Sequence, residues 1–191
     1  MFVRRSRHPL ELLPDTKIPL KQWKGIYMND HSTSKQQSLS YFWNEFYNNE
    51  EWSLWKVDYK YNDEIDAQFK FDNLISRFFN RLLETVKFIS GVTIVYRSEE
   101  GKIGITGAFV IRGCDYKTAF SSAPEWDSFE YTQLNPESKS DVKFIDQIWG
   151  KNNIIDINGK SFDVINSQTL LGSRSNAMED FYEILTESEE E

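Results

Sequence analysis

The pattern of this 191-residue chain predicts an α+β fold, a single compact domain with an antiparallel β-sheet and flanking α-helices. Three observations carry that prediction. Alternating apolar runs come in hairpins instead of regular β-α-β units. Between them stand segments whose apolar residues repeat at helical spacing. Aromatic residues make up 15% of the chain, and each ring can bury roughly 150–250 Å², so a chain of this length can close one sizeable core.

In chain order, the segment 8–29 carries Pro9, Pro14 and Pro19, which remove backbone donors and turn their predecessors away from helix. It reads as an extended arm held down by Leu10, Leu12, Leu13, Leu20 and Trp23, with a short helical turn over 20–27. Ser38 or Ser40 can cap a helix reaching about residue 48, because Phe42 and Phe46, and Trp43 and Tyr47, fall four apart. The polar stretch NNEE then breaks it. From Ser53 the pattern alternates, Trp55, Val57, Tyr59 and Tyr61 against Leu54, Lys56, Asp58 and Lys60, as in a half-buried strand. Alternation places Trp52 opposite Trp55, beside the solvated break, so Trp52 is expected to be an exposed ring bordering a groove.

After the acidic turn NDEID, Leu74, Phe78, Leu82 and Val86 repeat every fourth residue and predict a helix over 72–86. GVTIVYRSEEGKIGITGAFVIRG predicts a hairpin turning at Gly101. SFEYTQLNP predicts a strand stopped by Pro136. Ser138 or Ser140 can cap a helix in which Val142, Ile145 and Trp149 share a face. In IIDINGKSFDVI, Asn158-Gly159 predicts a two-residue type I′ hairpin, since both residues tolerate positive φ.

Net charge is −8, yet seven acids and no bases stand between Glu179 and Glu191, and subtracting those seven from the 30 acids leaves 23 against 22 bases. The body is nearly neutral, with acids and bases interspersed except at Arg4, Arg5 and Arg7, which disfavours bulk binding to a nucleic-acid duplex. The single cysteine, Cys114, excludes an internal disulfide, and no Asn-x-Ser/Thr acceptor occurs, as suits a reducing cytosol. No apolar run approaches the ~20 residues of a membrane span, and no apolar segment follows the first arginines as in a signal peptide. A cytoplasmic protein is expected.

Motifs that carry chemistry are incomplete. Gly159-Lys160-Ser161 supplies only the tail of a phosphate-cradling loop, with Ile154 where its first glycine belongs. Gly101, Gly104 and Gly107 fall on a strand, where glycines mark close packing or a bulge. His8 and His31 are the only histidines, and no ligand pair has metal-binding spacing, so neither cofactor nor metal is expected. Nothing beside Cys114 identifies a base, and a lone thiol usually behaves as a small hydrophobe.

The stretches HPLELLP, Leu20-x-x-Trp23-Lys24, YFWNEFYNNEEWSLWKVDYKY, NLISRFFNRL, AFVIRG and APEWDSFEYTQLNP stand in a fixed order. Together they resemble the C-terminal domain of the translation elongation factor 1-gamma family, over about residues 8–165. The resemblance implies a compact α+β domain and a non-catalytic scaffold or docking role in a complex whose other subunits exchange GDP for GTP on the aminoacyl-tRNA carrier. In that family an upstream glutathione-transferase-like domain holds the exchange subunit, and a lysine-rich linker follows it. No trace of either occurs here, so a domain of a longer protein or a truncated form is expected, with ribosome- or tRNA-associated proteins as further partners.

The division expected is a basic extension over 1–7, the domain over 8–171 and an acidic tail over 172–191, disordered or, through Phe181 and Leu185, a docking peptide for a basic groove. GSRSNAM within the tail reads in part as a vector-derived junction. The resemblance supplies no binding residues. The docking surface is therefore expected at polar and aromatic residues near strand ends: Trp52, Arg112, Trp126, Asp127 and Tyr131. The alternatives are an RNA-binding module in which Trp52, Arg112 and Trp126 stack on or pair with single-stranded bases, and a small hydrolase or transferase using Cys114.

Overall fold

The structure, a computed structural model, describes residues 6–170. Residues 1–5 of the expected extension, residue 171 and the whole expected tail over 172–191, including the expected docking peptide, lie outside the described residues. A 3₁₀ turn, Pro9–Leu12, leads to α1 (Leu20–Asn29) and α2 (Gln36–Tyr41), which runs on into a π-turn at Phe42–Phe46. Then come β1 (Trp52–Tyr59), α3 (Gln68–Arg81), β2 (Ile89–Arg97), β3 (Ile103–Arg112), α4 (Tyr116–Phe120), β4 (Phe129–Leu134), α5 (Lys139–Trp149), β5 (Ile154–Ile157) and β6 (Lys160–Leu170). The strands form one antiparallel sheet in the order β4-β1-β3-β2-β6-β5. The α+β expectation holds.

Both faces of the sheet are covered, which corrects the expectation of a half-buried β1. Trp55 and Val57 join Ile105, Phe109, Ile111 and the α3 residues Phe71, Ile75 and Phe78 on one face. Trp52 and Leu54 join Ala108, Val110 and the residues of α1, α2 and α5 on the other. Strand alternation is preserved, but each parity meets its own helices. On the second face Phe42 lies 4.9 Å from Trp23 and 4.7 Å from Trp149 between ring centroids, and Trp149 Nε1 donates to the Ala108 carbonyl at 2.8 Å. The aromatic density of YFWNEF thus packs into this core, and the buried indole N–H of Trp149 on α5 is satisfied on the sheet itself.

Helix boundaries shift for local reasons. α2 starts at Gln36, and neither Ser38 nor Ser40 caps it. Lys35 occupies the cap position in a left-handed conformation with no side-chain bond. The upstream carboxylate of Asp30 serves instead, accepting from the Ser38 amide at 2.7 Å and the Ser32 amide at 2.8 Å, while Ser32 Oγ accepts from the Gln37 amide. α3 begins at Gln68 and ends at Arg81, four residues before the expected start and five before the expected end. Thr85 and Val86 are β-branched, and Thr85 Oγ1 donates to the Leu82 carbonyl, closing a turn where helix would continue. Leu82 and Val86 still reach the core.

The hairpins are as expected. Asn158 and Gly159 have φ of 52° and 78°, the type I′ pattern. Of the glycines expected on a strand, Gly104 and Gly107 lie on β3 in close packing, whereas Gly101 lies in the hairpin loop; Gly91 likewise faces Phe109 across β2 and β3, and a Cβ there would stand 2.3 Å from that ring.

Candidate docking site

The break between the π-turn and β1 is a hydrogen-bonded loop. Asn48 accepts from the Glu51 amide at 2.9 Å and donates to its carboxylate at 3.0 Å. The carboxylate of Glu51 also takes the Lys17 amide at 3.0 Å, fastening the N-terminal arm. Burial pushes the Glu51 carboxyl upward, but the bonds from Asn48 and Lys17 and the nearby Arg112 charge outweigh it, holding the group below its ordinary range.

Trp52 and Arg112 sit opposite each other in the β1/β3 register, with the guanidinium 6.0 Å from the indole centroid. The guanidinium donates to the carbonyls of Glu51 at 2.6 Å and Pro14 at 2.9 Å. After Arg112 the chain turns at Gly113, whose φ of +73° is a region other residues avoid. The Gly113 amide donates to the Glu51 carbonyl and its own carbonyl accepts from Ser53 Oγ. Arm, loop and strand ends are therefore tied around one buried cation.

The expectation of an exposed Trp52 is corrected: the residue is 3% exposed, and Arg112 is 7% exposed. The Phe46 ring, 5.1 Å from that of Trp52 between centroids, and two carbonyl acceptors of Arg112 hold them, so neither is free to stack on or pair with an RNA base in this structure. Trp52 nevertheless lines a cleft of about 380 Å³ at this end of the sheet, as its position beside the break predicts. Its Nε1–H is buried without a hydrogen-bond partner. The rest of the lining includes Glu50 and Glu137, the amides Asn49, Gln133 and Asn135, and Cys114, with no lysine, arginine or histidine. Cys114 is exposed.

Trp126, Asp127 and Tyr131 form a second group at the start of β4. Tyr131 stacks on Tyr116 with centroids 4.7 Å apart and donates its hydroxyl to the Trp126 carbonyl at 2.9 Å. Burial, with lesser contributions from Tyr116 and Asp127, pushes its phenol well above the ordinary value. Trp126 is half-buried against the α3 side of the core. Asp127 is exposed, and its backbone carbonyl accepts from Lys60 Nζ at 2.7 Å.

Sequence reasoning missed Glu50, Gln133, Asn135 and Glu137 as site residues. They are polar loop and edge positions with no periodicity, brought together only because β4 pairs with β1. The NNEE break was the one available signal. Among the described residues no group of three or more histidine, cysteine, aspartate or glutamate side chains is assembled to hold a metal, and no helix is long and apolar enough to cross a membrane.

Fold and site together define a class: an α+β domain with helices on both faces of one antiparallel sheet and a polar cleft at a sheet corner. The family described as "Elongation factor 1 gamma, conserved domain" matches residues 5–115, and the chain belongs to that family. It is 40% identical over 167 residues to "Elongation factor 1-gamma 2" of Saccharomyces cerevisiae, covering 87% of this chain and 40% of that protein. It is 38% identical over 144 residues to "Elongation factor 1-gamma" of Schizosaccharomyces pombe, 75% of this chain and 34% of that protein. With "Probable elongation factor 1-gamma 2" of Arabidopsis thaliana the identity is 28% over 145 residues, 75% of this chain and 35% of that protein. The chain thus spans about two-fifths or less of the length of these relatives.

Proposed function

We propose that this domain is a non-catalytic scaffold and docking part of an elongation factor 1 gamma subunit, supporting in the cytoplasm the complex that exchanges guanine nucleotide during translation elongation. The observation that carries this reading is the family membership, with 40% identity to a yeast elongation factor 1-gamma along 87% of the chain. The side-chain chemistry supports it. The buried charges of Arg112 and Asp30 and the half-buried carboxylate of Glu51 are engaged in holding backbone, which is the work of a scaffold. Partners of the domain itself are other subunits of the complex or ribosome- and tRNA-associated proteins, met through its surface while an upstream domain of the longer protein holds the exchange subunit.

The test is reconstitution of the complex with full-length gamma subunit, wild type or Cys114→Ser. GDP release from the aminoacyl-tRNA carrier and recovery of the complex on size exclusion should be the same for both. Loss of a turnover on changing Cys114 would contradict the non-catalytic reading.

A further inference from the structure

We propose that the cleft at the β1/β4 corner receives an extended basic peptide of a partner protein, whose backbone adds to the free edge of β4 and whose cationic side chain is answered by Glu50 and Glu137. The inference rests on the docking reading and names the chemistry of the partner. Four observations carry it. The cleft holds two carboxylates and three amide side chains, Asn49, Gln133 and Asn135, and no base, so a cation is favoured there and a phosphate or carboxylate is repelled. Its volume of about 380 Å³ is at the lower end of the roughly 300–1,000 Å³ of ligand sites, room for a few side chains and not for a helix. The last residues of β4, Gln133 and Leu134, line it, and β4 is an end strand of the sheet. An end strand offers a row of backbone donors and acceptors to an added strand.

The fourth observation is Trp52. Its ring lines the cleft while its Nε1–H is buried and unpartnered. A buried donor without an acceptor costs free energy, and a turn of the Trp52 ring that brought it to the cleft surface would let the carbonyl of an extended ligand take it. Arg112, the register partner of Trp52, does not line the cleft; its guanidinium is turned to the Glu51 and Pro14 carbonyls and leaves the carboxylate character of the lining intact. Single-stranded RNA is the wrong occupant for the same reason that a basic peptide is the right one.

The experiment is a ¹⁵N–¹H NMR titration of the full chain with a capped hexapeptide of alternating valine and arginine. It is repeated with citrulline in place of arginine, with oligouridylate, and with the Glu50→Gln/Glu137→Gln variant. The expected result is saturable movement of the Trp52 indole signal and the Gln133 and Asn135 amides by the arginine peptide. Binding should weaken about tenfold with the citrulline peptide or the double variant, as loss of two charge contacts predicts. Both glutamates are exposed, so an unchanged melting temperature confirms that the variant is folded. Equal binding of arginine and citrulline peptides, full affinity in the double variant, or oligouridylate moving the same signals would overturn the proposal. The double variant is also assayed for capture of the purified elongation factor 1 subunits. If wild type captures them and ignores the peptide, the cleft assignment falls and docking stands; if it does neither, both fall.

Discussion

Arg112 shows what a single charged residue does in this fold. Its guanidinium bridges the arm at Pro14 and the loop at Glu51 with a planar fork that lysine cannot copy. Arg112→Ala should therefore cost about 1–3 kcal/mol in urea unfolding, since the Pro14 carbonyl loses its guanidinium donor and the Glu51 carbonyl one of its two donors, and should speed amide exchange along the arm. Arg112→Lys should recover only part of that stability. Asp30 and Asp146 give opposite pH signatures. Burial raises the Asp30 carboxyl, but bonds from Ser32 and Ser38 outweigh it and hold the group far below its ordinary value. Its stabilisation is therefore present above the unfolded value of about 3.9 and is lost as pH falls below that toward the folded value. Asp30→Asn should flatten the acid limb of a stability–pH curve and cost about 1–2 kcal/mol at neutral pH through the weakened α2 cap. Asp146 is raised by burial, only partly offset by the bond from Trp43 Nε1 at 2.8 Å. Its contribution favours the fold at pH below the unfolded value and declines as pH rises toward the folded one. Asp146→Asn keeps an acceptor and removes the charge, so the neutral-pH melting temperature should hold or rise.

At this scale the sequence was partly legible. Alternation and the NNEE break place Trp52 beside a groove, and the residue does line a cleft. Its burial was not legible, because the covering Phe46 ring, 5.1 Å away, comes from a π-turn that no helical spacing announces. Asp30 as a cap was equally hidden, since it acts across eight residues and not from the cap position.

At the scale of elements, hairpins were the most legible feature, because turn chemistry is local: Asn158-Gly159 and the loop at Gly101 both adopt the positive φ their residues tolerate. Helix ends were less so, as the termination of α3 at Arg81, ahead of the turn closed by Thr85, shows. Two glycine substitutions test the packing with opposite signs. Gly25 lies in α1 with nothing within 4 Å of a built Cβ, so Gly25→Ala should stabilise by about 0.5–1 kcal/mol through helix propensity. Gly91→Ala would drive a methyl into the Phe109 ring and should destabilise by about 1–3 kcal/mol. Equilibrium unfolding of the two variants checks both, and equal effects would contradict the close β2/β3 packing.

At the scale of the molecule, the α+β class followed from hairpins separated by helical periods, and that reasoning survives. What one-dimensional reading could not supply is that helices cover both faces, since Trp55 and Leu54 are apolar neighbours of opposite parity and each parity must find a partner far along the chain. The cleft is likewise a product of topology: β4 returns to pair with β1, bringing Gln133 and Asn135 beside the loop at Glu50. The family relation then ties this architecture to elongation factor 1 gamma subunits, and the docking role follows as the reading proposed for it. The most direct measurement is the binding of this chain, by sedimentation velocity, to a purified elongation factor 1 complex from which this domain has been removed. Exchange of GDP is followed in the same samples. Saturable association of roughly micromolar strength, as expected of a transient interface, with an unchanged exchange rate is the predicted result. No association at any concentration reached, or an exchange rate that depends on the domain's own side chains, would contradict the account.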